Sequence, residues 1–198
     1  MFPLVETIKI IDGIPQNLRY HKFRFEKSYF LYYKSLNEKE FPIEFEIPVK
    51  YKTGKVKLRL LYNKQGFNFE YSLYQRKEIY NLKVVFDNNI EYPVKYTDRK
   101  AIDRLLKFRE NKDDILIVKD GNVTDSSFAN IVFFDGNKWY TPASPLLQGT
   151  TRERLIDKEI IIPAPIKYND LKYFKKFKLI NAMIDFEEAL EIDIKNIY

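Results

Sequence analysis

Between Gly121 and Arg152 the chain reads G-N-V-T-D-S-S-F-A-N-I-V-F-F-D-G-N-K-W-Y-T-P-A-S-P-L-L-Q-G-T-T-R, and here the residue types able to do chemistry are densest. An acid, Asp125, and an amide, Asn130, lead into the apolar run 131–134, and a Gly149-Thr150-Thr151 step opens a helix near Arg152. The first N–H groups of a helix lack internal partners and its dipole is positive there, so two hydroxyls beside them complete a seat for a phosphate. The same Gly-Thr-Thr step is also how an ordinary helix is capped. Acid, amide and phosphate seat within one short span point to a cofactor pocket.

Other chemistries are excluded by composition. The 198 residues hold no cysteine and a single histidine, so disulfides, thiolate metal sites, cysteine nucleophiles and histidine metal clusters are absent. No metal site is expected. With 45% hydrophobic residues, 16 Phe and 15 Tyr, the chain can bury a real core. The net charge of +6 comes from acids and bases interspersed throughout, apart from a local cluster at Lys172, Lys175, Lys176 and Lys178. Without a nucleic-acid motif beside it, that balance favours small anionic molecules rather than nucleic acid. No apolar run approaches the ~20 residues that span a bilayer, and residues 1–11 carry no basic lead into one, so no membrane partner and a cytoplasmic location are expected.

The elements that must position these residues follow from periodicity and punctuation. Residues 4–11 suit a strand, turned by Asp12-Gly13. Asn17 is a fitting cap for a helix over 18–36, ended by Asn37-Glu38. Residues 41–49, broken by Pro42 and Pro48, read as a loop with an irregular turn. Residues 55–62 and 67–73 alternate around Asn63-Lys64-Gln65-Gly66 as a hairpin, and 82–86 make a further strand. Turn residues 87–93 mark a boundary between a small α+β domain, 1–90, and a larger one, 91–198. In the latter, Thr97 or Asp98 caps a helix running to about residue 111, residues 115–118 form a strand, and Asp135-Gly136-Asn137 folds 131–134 back onto 138–140. A helix over 169–175, a strand at 179–183 and a strand or helical tail at 187–194 complete the chain.

The ordered set Asp125, Ala129-Asn130-Ile131, Thr141-Pro142 and Gly149-Thr150-Thr151-Arg152 resembles the class IV aminotransferases, the fold-type IV enzymes that use pyridoxal 5′-phosphate. The resemblance extends to Val5-Glu6-Thr7-Ile8-Lys9 and to His21-Lys22-Phe23-Arg24-Phe25, which are similar to the family's opening strand and its H-x-x-R helix. It implies an α+β, two-domain enzyme like D-amino acid aminotransferase, with an N-terminal α/β sandwich and a C-terminal pseudo-barrel. The family's R-G-x-x-x-G-D-G segment has no counterpart here, so the N-terminal domain is expected to be reduced.

Carried over residue by residue, the resemblance makes Lys95 the Schiff-base lysine, with Lys100 as its rival. Lys95 is preferred because it lies in the extended segment before the helix. Arg24 would pair with the cofactor phosphate, for which a forked guanidinium is suited. Asn130, Gly149, Thr150 and Thr151 would line the cofactor, and Asn181, in a late N-A-M segment, would face phosphate or substrate. Asp125 stands where the family usually has glutamate, as the anion that keeps the pyridine nitrogen protonated. Arg59 and Arg99 are candidate carboxylate partners for a small, anionic, amino-acid-like substrate, although an exposed strand charge is the favoured reading of Arg59. The lysine-helix text K-Y-T-D-R-K looks most like aminodeoxychorismate lyases, which release pyruvate to give 4-aminobenzoate for folate synthesis. Branched-chain or D-amino acid transamination, and a non-catalytic protein of the same fold, are the alternatives. Family members are usually dimers, so a homodimer is expected.

Overall fold

The computed structural model describes residues 1–36 and 39–198 and divides into two compact units. The first comprises Met1–Arg76 and Pro93–Asp98. Its strand β1 (Leu4–Ile11) pairs antiparallel with β3 (Lys55–Tyr62), β3 pairs with β4 (Phe67–Leu73), and β2 (Ile14–Pro15) closes the other edge. The hairpin between β3 and β4 is held by the Asn63 side chain, which accepts from the N–H groups of Gln65 and Gly66.

One face of this sheet carries Leu4, Ile8, Ile10, Val56, Leu58, Leu60 and Tyr62, all fully buried, because alternate residues of a strand point the same way. Helix α1 (Leu18–Tyr33) covers that face with Phe25 and Tyr29. The Phe25 ring lies 4.6 Å from that of Tyr62 and 5.3 Å from that of Phe41, so an aromatic plug replaces the usual aliphatic stripe.

Asn17 does stand at the helix start, but it contributes backbone rather than side chain. Its φ of 57° is left-handed, a region asparagine tolerates, and no side-chain cap bond forms. The helix stops at Tyr33, short of the expected residue 36, because Lys34 also turns left-handed and returns its N–H to Phe30. The predicted stop at Asn37-Glu38 lies outside the described residues. Residues 41–48 hold no helical turn; a 3-10 turn follows them at Val49–Tyr51.

The second unit comprises Lys77–Tyr92 and Arg99–Tyr198. Here β5 (Leu82–Phe86) runs parallel to β6 (Asp114–Lys119), with helix α2 (Lys100–Leu106) between them in sequence. Strands β7 (Asn122–Ser126), β8 (Asn130–Phe134) and β9 (Trp139–Pro142) follow as an antiparallel run, then α3 (Thr150–Asp157) and β10 (Ile162–Ala164). The sheet branches at β8, which also pairs with β11 (Lys176–Ile180), itself paired with β12 (Ile192–Asp193). On one edge β8 meets β7 at Asn130 and β9 at Phe133–Phe134, so the sheet coils at this strand. Leu116, Val118, Ile131, Phe133 and Phe177 belong to the buried core of this unit.

The units do not divide at residue 90. Strand β5 belongs to the second because its five residues pair in register with β6. Residues 93–98 return to the first, since Val5 N–H donates to Lys95 O at 3.0 Å and Thr97 N–H to Pro3 O at 2.8 Å. The segment carrying Lys95 is therefore an edge addition to β1. Other differences are local. Helix α2 starts at Lys100, with Arg99 rather than Thr97 or Asp98 at its N-cap, and tightens to a 3-10 turn at Lys107–Arg109. Helix α3 begins at Thr150, two residues before Arg152. The helix expected at 169–175 is a 3-10 segment, Tyr168–Tyr173, and the tail has only the short β12 and a 3-10 turn at Ile194–Asn196. Among the described residues, no helix is long and apolar enough to cross a membrane.

Candidate active site

In the second unit the acid and the amide meet because β7 and β8 pair at their positions, Asp125 opposite Asn130. The tight S-S-F-A connection is held from within: Ala129 N–H donates to Ser126 Oγ, which in turn donates to Ala129 O. From outside, the buried Asp114 carboxylate accepts Ser127 N–H, and Arg99 donates to Ser127 O at 2.9 Å.

The Asn130 amide then ties three pieces together. Its Nδ2 donates to Asp125 Oδ1 at 2.7 Å and to Leu147 O at 2.9 Å, while Leu147 N–H donates to Asp125 Oδ2 at 3.0 Å. Two residues on, a Cβ at Gly149 would overlap the Asn130 carboxamide. Glycine is needed there for close approach rather than for its backbone angle, since φ is an ordinary −75°. The asparagine thus fixes both the carboxylate and the loop that delivers the start of α3.

Asp125 is buried, and burial pushes its carboxyl up to about 6; the Leu147 N–H, the Asn130 amide and the nearby Arg152 charge pull the other way without prevailing. Arg152 is buried too, and its guanidinium donates to Pro142 O at 2.9 Å and to Glu153 at 2.5 Å. Thr141 Oγ1 donates to Ile131 O. The Thr-Pro and Gly-Thr-Thr-Arg elements are therefore clamped to each other. Thr150 and Thr151 are buried at the start of α3, where the backbone N–H groups lack helical partners.

In the first unit a second buried polar group forms around Glu6, on the apolar face of β1. Its Oε1 accepts from Arg24 Nε at 2.9 Å, and its Oε2 accepts from a terminal nitrogen of the same guanidinium at 2.6 Å. His21 Nδ1 lies 2.6 Å from Oε2. His21 and Arg24 are three residues apart on α1 and so share a face. Although burial favours the neutral acid, Arg24 and His21 hold the Glu6 carboxyl down at about 2. Burial, opposed by Glu6 and assisted by the charges of Arg24 and Lys95, holds His21 below its ordinary range. The half-buried Lys95 is thus electrostatically part of this cluster.

Three further candidates have defined partners. Arg59 donates to Glu70 across the β3–β4 pair, at an exposed position. Asn181 Oδ1 accepts from Met183 N–H at 2.8 Å and Ile184 N–H at 3.1 Å, and so forms a local turn. Arg99 also pairs with Asp103 one turn along, at 3.5 Å.

Sequence reasoning gave no roles to Glu6, His21, Arg152 and Asp114. The signal for Glu6 was available, since the strand's period of two puts it on one face with Leu4, Ile8 and Ile10, where a carboxylate needs buried partners.

A pyridoxal-type group needs a buried anion for its ring nitrogen and an anion seat for its phosphate. Asp125 has neutral amide donors on both oxygens and retains a proton more readily than an ordinary carboxyl, so a cationic N–H would suit it as a further partner. The start of α3, delivered by the same asparagine, is a seat of the second kind. The donor set fits.

The sequence pattern that defines amino-transferase class IV matches residues 3–191. An uncharacterized protein of Haemophilus influenzae is 38% identical over 185 residues, 92% of this chain and 98% of that protein. Among solved structures, a protein of Haemophilus somnus provisionally named 4-amino-4-deoxychorismate lyase is 35% identical, with a TM-score of 0.81 over 92% of this chain and 97% of that one. A hypothetical aminotransferase of Mycobacterium tuberculosis in its PLP-bound form shares the fold at 18% identity, with a TM-score of 0.77 over 96% of this chain and 80% of that one.

Proposed function

This chain belongs to the class IV aminotransferase family, whose enzymes depend on pyridoxal phosphate, and from that premise we propose that it binds this cofactor and cleaves 4-amino-4-deoxychorismate to 4-aminobenzoate and pyruvate. The observation that carries the choice of a lyase is the 35% identity, over nearly the full length of both chains, to the Haemophilus somnus protein of that provisional name. The geometry around Asp125 supports the cofactor.

When bound, pyridoxal phosphate supplies an electron sink for charge that develops on the substrate carbon. Lys95 is the residue that would hold it covalently and, as an amine, accept and return a proton at Nζ. For this the ε-amine must be neutral. Asp125 would hold the ring nitrogen, since a cationic N–H brought to it restores the ionised carboxylate that burial disfavours. The start of α3, with Thr150 and Thr151, would seat the phosphate, and Arg24 is the residue that the family resemblance pairs with it. Arg99 would face a substrate carboxylate.

Two measurements test this reading. Borohydride reduction of purified protein incubated with pyridoxal phosphate should fix the cofactor's mass on the peptide containing Lys95, and Lys95→Ala should abolish that adduct. Supplied with 4-amino-4-deoxychorismate, the loaded protein should form 4-aminobenzoate and pyruvate. The lyase assignment fails if no 4-aminobenzoate appears while an amino group passes readily between an amino acid and 2-oxoglutarate.

A further inference from the structure

We propose that Glu6 is a positioning residue: its two carboxylate oxygens hold the Arg24 fork and the His21 ring in one fixed arrangement beside the Lys95 segment, and it acts on the cofactor's phosphate only through Arg24. The proposal rests on the reading that the chain binds pyridoxal phosphate.

Glu6 is fully buried and shares its strand face with Leu4, Ile8 and Ile10. A carboxylate in such surroundings is stable only when donors saturate it. Here the guanidinium grips through Nε and one terminal nitrogen, two parallel bonds that fix the plane of the fork as well as its distance. A planar guanidinium held by one edge has its remaining N–H bonds directed by that edge, so the carboxylate sets where Arg24 aims. The neighbouring residue, Val5, donates its N–H to Lys95 O, which ties the lysine segment to the same stretch of β1.

His21 completes the arrangement. Because the Arg24 guanidinium holds Glu6 ionised, its oxygen can only accept, so the proton between it and His21 resides on Nδ1. Burial and the charges of Arg24 and Lys95 keep the ring neutral, which leaves Nε2 as the lone-pair nitrogen. The charged groups acting on this site are therefore Glu6, Arg24 and Lys95, and the Tyr62 hydroxyl, pushed up by burial and by the Glu6 charge, completes the titratable surroundings. Glu6 serves both neighbours with one charge.

Since the chain has one histidine, its imidazole nitrogens give a single, unambiguous set of nitrogen NMR signals. In the wild-type protein without cofactor these should report the Nδ1–H tautomer, and in Glu6→Gln the Nε2–H form should become populated. The second measurement is a double-mutant cycle on pyridoxal phosphate affinity, with Glu6→Gln, Arg24→Lys and the pair. Each single variant should weaken binding by about tenfold or more, the scale of one charge-assisted hydrogen bond, and the pair should bind little worse than Arg24→Lys alone. An Nε2–H tautomer in the wild type, or losses that multiply in the double variant, would overturn the proposal. If Glu6→Gln does not fold, the wild-type tautomer together with Arg24→Lys decides: Arg24→Lys should weaken binding without altering the tautomer. If the wild-type protein takes up no pyridoxal phosphate, the proposed function falls and the tautomer alone decides the role of Glu6.

Discussion

Two buried carboxylates, one in each compact unit, are driven in opposite directions. Glu6 is held down at about 2 and Asp125 is pushed up to about 6, although both are buried and each accepts hydrogen bonds on both oxygens. Burial is the largest influence on both, and it favours the protonated acid. The difference lies in the donors. Glu6 faces a guanidinium fork and an imidazole, whereas Asp125 faces two amides, with the Arg152 charge acting as a weaker influence. The first carboxylate already has its cation and serves as a fixed part of the scaffold. The second accepts from neutral amides, with Arg152 only a weaker influence, which suits it to a protonated ring nitrogen.

The largest expected effect therefore comes from making Asp125 neutral. Asp125→Asn keeps the shape and removes the charge that a pyridine nitrogen requires, so kcat for 4-aminobenzoate formation should fall by roughly 10²-fold or more, the cost of losing one preorganised electrostatic partner. Steady-state kinetics with saturating cofactor check this. An unchanged kcat would break the contrast, because Asp125 would then be a structural acid like Glu6.

A second test reads the same contrast from stability and pH. The ordinary value for Glu6 is 4.5 and its folded value is about 2, so the stability it contributes is fully present above about pH 4.5 and is lost as pH falls toward 2. The ordinary value for Asp125 is 3.8 and its folded value about 6, so the fold binds that proton more tightly than the unfolded chain does, and stability is lost as pH rises from about 4 through 6. His21, held below its ordinary 6.5, adds a loss as pH falls below that value. Urea unfolding of the cofactor-free protein should show Glu6→Gln destabilised near neutrality by on the order of 3 kcal/mol, a gap that closes in acid. Relative to wild type, Asp125→Asn should gain on the order of 3 kcal/mol between pH 4 and 7. The contrast is sharpened if the two differences run oppositely with pH and broken if they run together.

A smaller effect is expected at the loop that delivers α3. The alanine Cβ of Gly149→Ala would occupy the space of the Asn130 carboxamide, and displacing that group releases both Asp125 and Leu147. Overpacking of this kind costs about 1–3 kcal/mol, which a shift in Tm of the cofactor-free protein will measure. Cofactor affinity should fall with it. A variant with unchanged Tm and affinity would mean that the contact between Gly149 and Asn130 is not what aligns the second site.

How much of this was legible in the sequence depends on whether the cause is local. Strands 4–11, 55–62, 67–73 and 82–86 were readable to the residue because alternation and turn residues bound them on both sides. The hairpin after Phe134 was readable for the same reason. The assignment of β5 to the second unit and of Lys95 to the first was not, because parallel pairing with β6 and the edge bonds to Pro3 and Val5 join residues far apart in sequence. Asp125 and Asn130 announced themselves by spacing, but their shared dependence on Leu147 is a three-dimensional fact. Glu6 was visible as a carboxylate on an apolar strand face, and only the helix packed over it reveals its partners.

The smallest expected effect concerns Arg59, the one candidate whose charge is met on the open face of the sheet. It sits directly opposite Glu70 in the β3–β4 register and donates to it, with the two side chains 37% and 45% exposed. Water competes for both groups, and exposed pairs of this kind contribute about 0.2–1 kcal/mol. Arg59→Ala should therefore lower stability by less than about 1 kcal/mol, an effect that shrinks in high salt because exposed charges are screened. If Arg59 instead gripped a substrate carboxylate, losing that charge-assisted bond would raise KM by about tenfold or more with little change in Tm. The cross-strand pairing with Glu70 leads us to expect an unchanged KM. Measuring KM and Tm on the same variant separates the two: a large rise in KM would move Arg59 from the sheet's solvated face into the substrate site and give the first unit a second cation with work to do beyond the one Glu6 holds.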